Sequence, residues 1–286
     1  MSELRRGPNI RGRMHSRTRN SVNHSRGCDK FFQGRCEEFM KKGKVYLIGA
    51  GPGDPGLLTT KARDILARAD VIVYDRLIAR QILRDLPKRI VKIYVGKRSG
   101  SHSIPGQDAI PSILVTNAEK GRLVVRLKGG DPFLFGRGGE EVQKLREAGI
   151  DFEVVPGITS ALAVPAYAGI PVTHRKYASS VAIVTGHEDP SKSNRVDWKK
   201  LATAVDTIII LMGVRNLQAI LKSLVEGGCK TETPVAIVER GTTKHQRVTV
   251  GTVRTMTAQA VERRIEPPAV IVVGDVVNLQ KELSWF

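Results

Sequence analysis

The sequence predicts an α/β protein of two α/β domains, with largely parallel sheets and a ligand cleft between them. Three observations carry that expectation. From Lys44 onward, short apolar runs alternate with helical segments, the order that builds strands joined by crossovers. The runs fall into two sets, separated by the Pro-, Gly- and small-residue-rich stretch VPGITSALAVPAYAGIPVTH at 155–174. Glycine-rich turns follow two of the runs directly, where crossover folds place their ligand loops.

The first set of strand-like runs is VYLIG (45–49), VIVY (71–74), IVKIYV (90–95), LVVRL (123–127) and FEVV (152–155). Between the first two, TTKARDILARA (59–69) puts Ala62, Ile65, Leu66 and Ala69 on one helical stripe. The second set is SVAIVT (180–185), TIIILM (207–212), PVAIVE (234–239), VTV (248–250) and AVIVV (269–273). The helical segment VRNLQAILKSLVEGG (214–228) ends at Gly227-Gly228, a helix stop. These patterns place the domains at 43–156 and 157–286, with the cleft between them as the default site.

Residues 1–42 stand apart as a basic extension expected to be disordered. They hold 11 of the chain's 46 Lys and Arg but 4 of its 28 Asp and Glu. Residues 1–39 lack hydrophobic periodicity and are too polar to bury a core. Three readings fit: a nucleic-acid-binding arm, an organelle transit peptide, or an inert extension upstream of a natural start at Met40, where MKKGKVYLIG begins.

The formal net charge is +18, and most of it lies outside this extension. A basic body favours an anionic partner: nucleic acid, a membrane surface or a polyanionic small molecule. Aromatic residues make up 5% of the chain, too few for a base-stacking platform, so no specific nucleic acid is expected. The longest apolar runs, such as Thr207–Met212, are strand-sized, and no membrane span is expected. Cys28, Cys36 and Cys229 are sparse and odd in number, which argues for a reducing, cytoplasmic setting. The Cys28–Cys36 spacing, with His24 nearby, matches no common zinc pattern, so no metal is expected.

The turn VYLIGAGPGDPG (45–56) imitates a dinucleotide loop, and Asp75 at the end of the second run imitates its ribose-binding acid. Two features oppose that reading. Asp54 stands where a pyrophosphate requires a positive environment. Pro52 and Pro55 remove two N–H donors. The loop is stiff and donor-poor, suited to a ligand that approaches the backbone closely without bringing phosphate; a nucleoside with a cationic sulfonium fits. A tight structural turn fits this loop equally well. A second loop, VVRLKGGDPFLFGRGGEE (124–141), puts five glycines into residues 129–139, again with an acid and a proline.

Taken with that loop, the sequence resembles the tetrapyrrole methylase superfamily, and within it the enzymes that C-methylate uroporphyrinogen III. The resemblance runs in order through residues 44–286: 45–78, VGKRSGSHSIP (95–105), 124–141, VVPGITSALAVPAYAGIPVTHR (154–175), LMGVRN (211–216), PVAIVERGT (234–242) and PPAVIVVGDVV (267–277). One departure is Gly106, which intervenes before Gln107 and puts contacts carried across that stretch out of register. The resemblance implies S-adenosyl-L-methionine as methyl donor. It also implies two methylations of uroporphyrinogen III, at C2 and C7, giving precorrin-2 through precorrin-1 for sirohaem and cobalamin, and a homodimer. No dehydrogenase–chelatase module of the kind fused to some relatives is expected, so methyl transfer is expected to stand alone.

Carried residue by residue, the resemblance implies donor contacts at Pro52, Gly129, Gly130, Asp131, Leu134, Thr159, Ser160, Met212, Ala236 and Gly241. It implies Asp75 as general base and Lys97 as its acid partner. A carboxylate is chemically apt, because methylation leaves a cationic ring that must lose a proton. The substrate's eight carboxylates account for the basic body, and Arg76, Arg98, Lys128, Arg137 and Arg175 are the candidate partners, arginine suiting bidentate contacts. Structural roles remain open for several positions: a cap for Asp75, core packing for Met212, loop capping for His102 and His174. Arg126 inside its strand reads as structural, and Glu140 and Glu141 read as helix-opening acids with no chemistry.

Overall fold

The computed structural model describes residues 42–96, 109–187 and 195–286. Except for Lys42, the extension at 1–42 lies outside them, and so do Lys97, Arg98, His102 and Gly106.

The first sheet contains β1 (Lys44–Gly49), β2 (Val71–Tyr74), β3 (Val91–Tyr94), β4 (Val124–Lys128) and β5 (Asp151–Val155). Its order is β3-β2-β4-β1-β5, and every pairing is parallel. The crossovers carry α1 (Thr60–Arg68), α2 (Arg80–Arg84), α3 (Ile110–Glu119) and α4 (Gly138–Glu147). Residues of β1, β2 and β4 alternate between two packed faces. Ile48, Ile72, Val125 and Leu127 join Ala62, Ile65 and Leu66 of α1. Val45, Leu47, Val71, Val73 and Val124 join Leu114 of α3 and Leu145 of α4. Burial on both faces explains why these strands read as continuous apolar runs. Because all five strands run the same way, their following loops emerge at one edge.

After α5 (Ser160–Tyr167) comes the second sheet: β6 (Val181–Thr185), β7 (Thr207–Leu211), β8 (Pro234–Glu239), β9 (Arg247–Thr252) and β10 (Ala269–Val273), in the order β6-β7-β10-β8-β9. Here the expectation of largely parallel sheets needs correction. Only β6–β7 is parallel; β10 runs antiparallel to both β7 and β8, and β8 antiparallel to β9. The physical reason is connection length. Seven residues (240–246) join β8 to β9, too few for the crossover that a parallel pair needs. The remaining helices are α6 (Trp198–Ala204), α7 (Leu217–Glu226), α8 (Met256–Glu262) and α9 (Gln280–Leu283). The apolar stripe of α7, Leu217, Ile220, Leu221 and Leu224, packs on Ile208, Ile210 and Ile271. The opposite face of the sheet, with Ile209, Ala236 and Val272, receives Ala161 and Val164 of α5.

Glu153 on β5 ties the start of β1 to α1. It accepts a hydrogen bond from Lys44 Nζ at 2.6 Å and pairs with Lys61 Nζ at 2.5 Å. Lys44, then Lys61, lower its carboxyl from 4.5 to about 2. A depressed carboxyl stabilises the fold above its unfolded value and loses that contribution as pH falls toward the folded value. Glu153→Gln is therefore expected to lower stability at pH 7 by about 0.2–1 kcal/mol per partly exposed pair. Urea titrations of both proteins from pH 7 down to acid should show the difference closing below about pH 4.

Candidate active site

The carboxyl edge of the first sheet is built by three stretches of backbone in direct contact. Gly49 ends β1, Gly130 follows β4 and Gly157 follows β5. Ala50 N donates to Lys128 O at 2.8 Å, and Gly51 and Gly130 exchange N–H···O bonds of 3.2 and 2.8 Å. A Cβ on Gly49 would lie 2.5 Å from Gly157 Cα and 2.6 Å from Gly130 O. A Cβ on Gly157 would fall onto Gly130 O. No side chain fits at Gly49 or Gly157, which is why glycine occupies these two positions. Gly130 and Gly51 also take positive φ, 68° and 75°.

Two aspartates lock the loops. Asp131 accepts from Phe133 N (2.8 Å) and Leu134 N (3.0 Å) through Oδ1, and from Gly157 N (3.1 Å) through Oδ2. Asp54 accepts from Gly56 N (2.7 Å) through Oδ1 and from Tyr167 Oη (2.8 Å) through Oδ2, while its own N donates to Thr242 Oγ1 at 3.2 Å. Burial, then the Asp54 hydrogen bond, raise the Tyr167 phenol above its ordinary range. The first loop is indeed donor-poor, and for more than its prolines: the N–H groups of Ala50, Gly51, Asp54 and Gly56 are all engaged within the protein.

Most of the expected donor contacts gather here. Pro52, Gly129, Gly130, Asp131 and Leu134 lie on the two glycine loops. Thr159 caps α5, accepting from Ala161 N at 3.2 Å, and Ser160 opens that helix; both face Gly130. Gly241, just past β8, abuts Val164 of α5, and its carbonyl lies beside Gly53. Met212, just past β7, has a positive φ of 56° and is 51% exposed, so it is not core. Ala236 is the exception. It sits inside β8 with no accessible surface, enclosed between the sheet and α5, and we remove it from the set.

The charged candidates divide as well. Asp75, just past β2, accepts from Leu77 N at 3.1 Å and pairs with Arg126 Nη2 at 3.4 Å. Arg76 and Arg175 are exposed. Arg137, at the head of α4, is exposed and ion-paired with Glu140. Lys128 was expected to meet substrate, but it is buried. Its Nζ lies 2.8 Å from Glu141 Oε1, and burial, then the nearby Arg126 charge, push its ammonium below the usual lysine range. A cation so enclosed and already paired is withdrawn from the substrate set. His174 caps its own loop, its Nδ1 accepting from Lys176 N at 3.2 Å.

Sequence reasoning missed the buried ion cluster of Arg126, Lys128 and Glu141. Its signal was present: Arg126 and Lys128 stand two apart in a strand that is otherwise apolar, so both point to one face, the face that α4 covers.

Comparison with known proteins decides the family. The model for tetrapyrrole (corrin/porphyrin) methylases matches residues 44–257. The chain belongs to the tetrapyrrole methylase family. Within it, the chain is 56% identical over 243 residues to the S-adenosyl-L-methionine-dependent uroporphyrinogen III methyltransferase of Methanosarcina barkeri, covering 85% of this chain and 95% of that one. It is 50% identical over 244 residues to the uroporphyrinogen-III C-methyltransferase of Bacillus subtilis, covering 85% and 95%. Among solved structures, the Thermus thermophilus uroporphyrin-III C-methyl transferase complexed with S-adenyl homocysteine superposes with a TM-score of 0.71 at 40% identity, covering 83% of this chain and all of that one. In this tetrapyrrole methylase, then, the glycine loops are those of a methyl-donor fold, and the dinucleotide resemblance of the first loop is local.

The backbone contact has a direct test. Gly157→Ala is expected to cost about 1–3 kcal/mol, as overpacking against fixed backbone does. Gly139→Ala, where a Cβ meets nothing within 4 Å, should be neutral or stabilise by up to about 1 kcal/mol. Thermal unfolding of the two variants beside wild type measures the contrast; equal melting temperatures would refute the packing argument.

Proposed function

We propose that this chain transfers methyl groups from S-adenosyl-L-methionine to two carbons of uroporphyrinogen III, C2 and C7 in succession. The products are precorrin-1 and then precorrin-2, for sirohaem and cobalamin biosynthesis. The observation that carries the proposal is the interlocked glycine edge, occurring in a chain at least half identical to uroporphyrinogen III methyltransferases over nearly their whole length.

The residues present fit the donor. Pro52, Gly129, Gly130, Asp131, Leu134, Thr159, Ser160, Met212 and Gly241 would hold it. The N–H groups of Ala50, Gly51, Asp54 and Gly56 in the first loop are engaged within the protein, which suits a ligand that brings no phosphate to that loop. The sulfonium supplies a methyl group that is already activated: the C–S bond breaks as the new C–C bond forms, and the thioether leaves. The protein's main task is then alignment, with nucleophile, methyl and sulfur in line at about 3–3.5 Å. The aspartate clamps and the backbone contacts fix the loops that impose it.

Asp75 accepts the proton that the methylated ring must lose. Its carboxylate stands at the same edge, part exposed and paired with Arg126. Lys97 is the proposed acid partner. Arg76, Arg98, Arg137 and Arg175 are the proposed partners of the substrate's carboxylates. Leu77, Phe133, Phe135, Ile158 and Leu162 are exposed apolar side chains on the loops and helix around this edge, and they give the macrocycle an apolar surface. The proposal includes a division into halves at 43–156 and 157–286, a homodimer and a cytoplasmic setting. Among the described residues no helix is long and apolar enough to cross a membrane.

Incubation with uroporphyrinogen III and the methyl donor should yield a product bearing two added methyl groups by mass spectrometry; an unchanged substrate would refute the assignment. Asp75→Asn should lower kcat by about 100-fold or more, the scale of a general base, while calorimetry shows S-adenosylhomocysteine binding retained.

A further inference from the structure

Glu141 occupies the first turn of α4, where acids ordinarily face solvent and meet the helix dipole. Its side chain is instead only 6% exposed. A carboxylate removed from water requires compensating partners. Oε1 has two, Lys128 Nζ at 2.8 Å and Arg126 Nε at 3.3 Å. Oε2 is buried and unpartnered. Arg126 is enclosed too, its side chain 3% exposed. Its Nη1 donates to the carbonyls of Leu127 (3.0 Å) and Val73 (3.4 Å). Its Nη2 reaches Asp75 Oδ2 at 3.4 Å. One planar guanidinium thus spans two carboxylates, a buried one through Nε and the one at the site edge through Nη2.

We propose that Glu141 is a positioning residue for proton removal: it anchors Arg126 from behind, aims Nη2 at Asp75 and divides the guanidinium's charge between the two carboxylates. The inference rests on the reading of Asp75 as proton acceptor. A carboxylate facing an undivided cation is a weaker base, and general-base rates fall with basicity. Glu141 therefore keeps Asp75 an effective acceptor while Arg126 keeps it aligned. Lys128 works in the opposite sense, because it competes with Arg126 for Glu141 Oε1. Among the described residues, the other charged or titratable groups around this cluster are few. Arg76 adjoins Asp75, and Tyr94 of β3 places its hydroxyl beside Gly96 and the Arg76 backbone. Glu140 on α4 and Arg137 just before it are exposed and pair with each other. Lys97 and Arg98 lie outside the described residues.

The test is the pH dependence of kcat/KM for uroporphyrinogen III, with the KM for S-adenosylmethionine measured alongside. The substrate's own carboxylates titrate identically in every variant, so differences report the protein. Glu141→Gln leaves the whole Arg126 charge on Asp75. Its acidic limb should move to lower pH by about half a unit or more, with kcat down about tenfold or more and the donor KM within about twofold. Glu141→Asp keeps the charge and should restore much of the limb. Lys128→Met frees Glu141 for Arg126 and should move the limb the other way, to higher pH. A Glu141→Gln limb that coincides with wild type would overturn the inference, and so would losses confined to donor KM and melting temperature. If Glu141→Gln does not fold, the direction of the Lys128→Met shift decides: no shift, or a downward one, overturns it. Asp75→Asn separates the two levels of argument. Full activity there removes the reading of Asp75 itself, whereas loss of activity there with an unmoved Glu141→Gln limb removes only the role of Glu141.

Discussion

Three strand ends meet backbone to backbone at Gly49, Gly130 and Gly157, and the site depends on that meeting. Parallel strands deliver their loops to one edge, but they do not by themselves bring the loops into contact. Contact here requires that no Cβ intervene and that the polar groups of the turns be satisfied. Glycine meets the first requirement, and Asp131 meets much of the second by accepting three N–H groups from two loops. The result is a rim of interlocked backbone with Leu77, Phe133, Phe135, Ile158 and Leu162 exposed around it.

Electrostatics divides the same edge into inner and outer layers. Asp54 and Asp131 turn their carboxylates onto protein donors and so present little free charge to a ligand. Arg126, Lys128 and Glu141 bury theirs beneath the rim. Asp75 stands at the boundary, tied inward through one oxygen to Arg126 and to the chain through the other. The expense of burying three charged side chains argues for precision at that boundary, since an apolar core would hold the strands as well. The exposed arginines further out are free of this constraint, which suits contacts with a flexible polycarboxylate.

Much of the fold was legible because parallel strands buried on both faces leave an unmistakable trace: VYLIG, VIVY and LVVRL carry almost nothing but apolar residues. The second sheet was harder. Its runs look the same, and only the brevity of the 240–246 connection separates a hairpin from a crossover. At the site, the glycine loops and Asp75 announced themselves through spacing, with the resemblance to the family supplying their roles. Lys128 misled, because a lysine beside a glycine loop looks like a ligand contact until α4 is seen to cover it. Ala236 misled for a similar reason: a small residue in a motif need not have a surface. Glu141 was legible only as a helix-opening acid, since nothing in one dimension says that Arg126 and Lys128 point toward it.

The tether between the first loop and the second half of the chain reaches beyond the site. Asp54 bonds to Tyr167 at the end of α5 and, through its N–H, to Thr242 past β8; Gln246 in turn joins Thr242 N to the Tyr167 carbonyl. Four residues from three distant parts of the chain therefore close one ring of hydrogen bonds. Replacing the side chain of Asp54, Tyr167 or Thr242 leaves one neighbour without its partner, and replacing Gln246 leaves two backbone groups without theirs, so relatives that depart at one of the four positions should tend to depart at another. A change at Asp54 in the first loop is thereby felt at Tyr167, and a change at Thr242 is felt at the first loop.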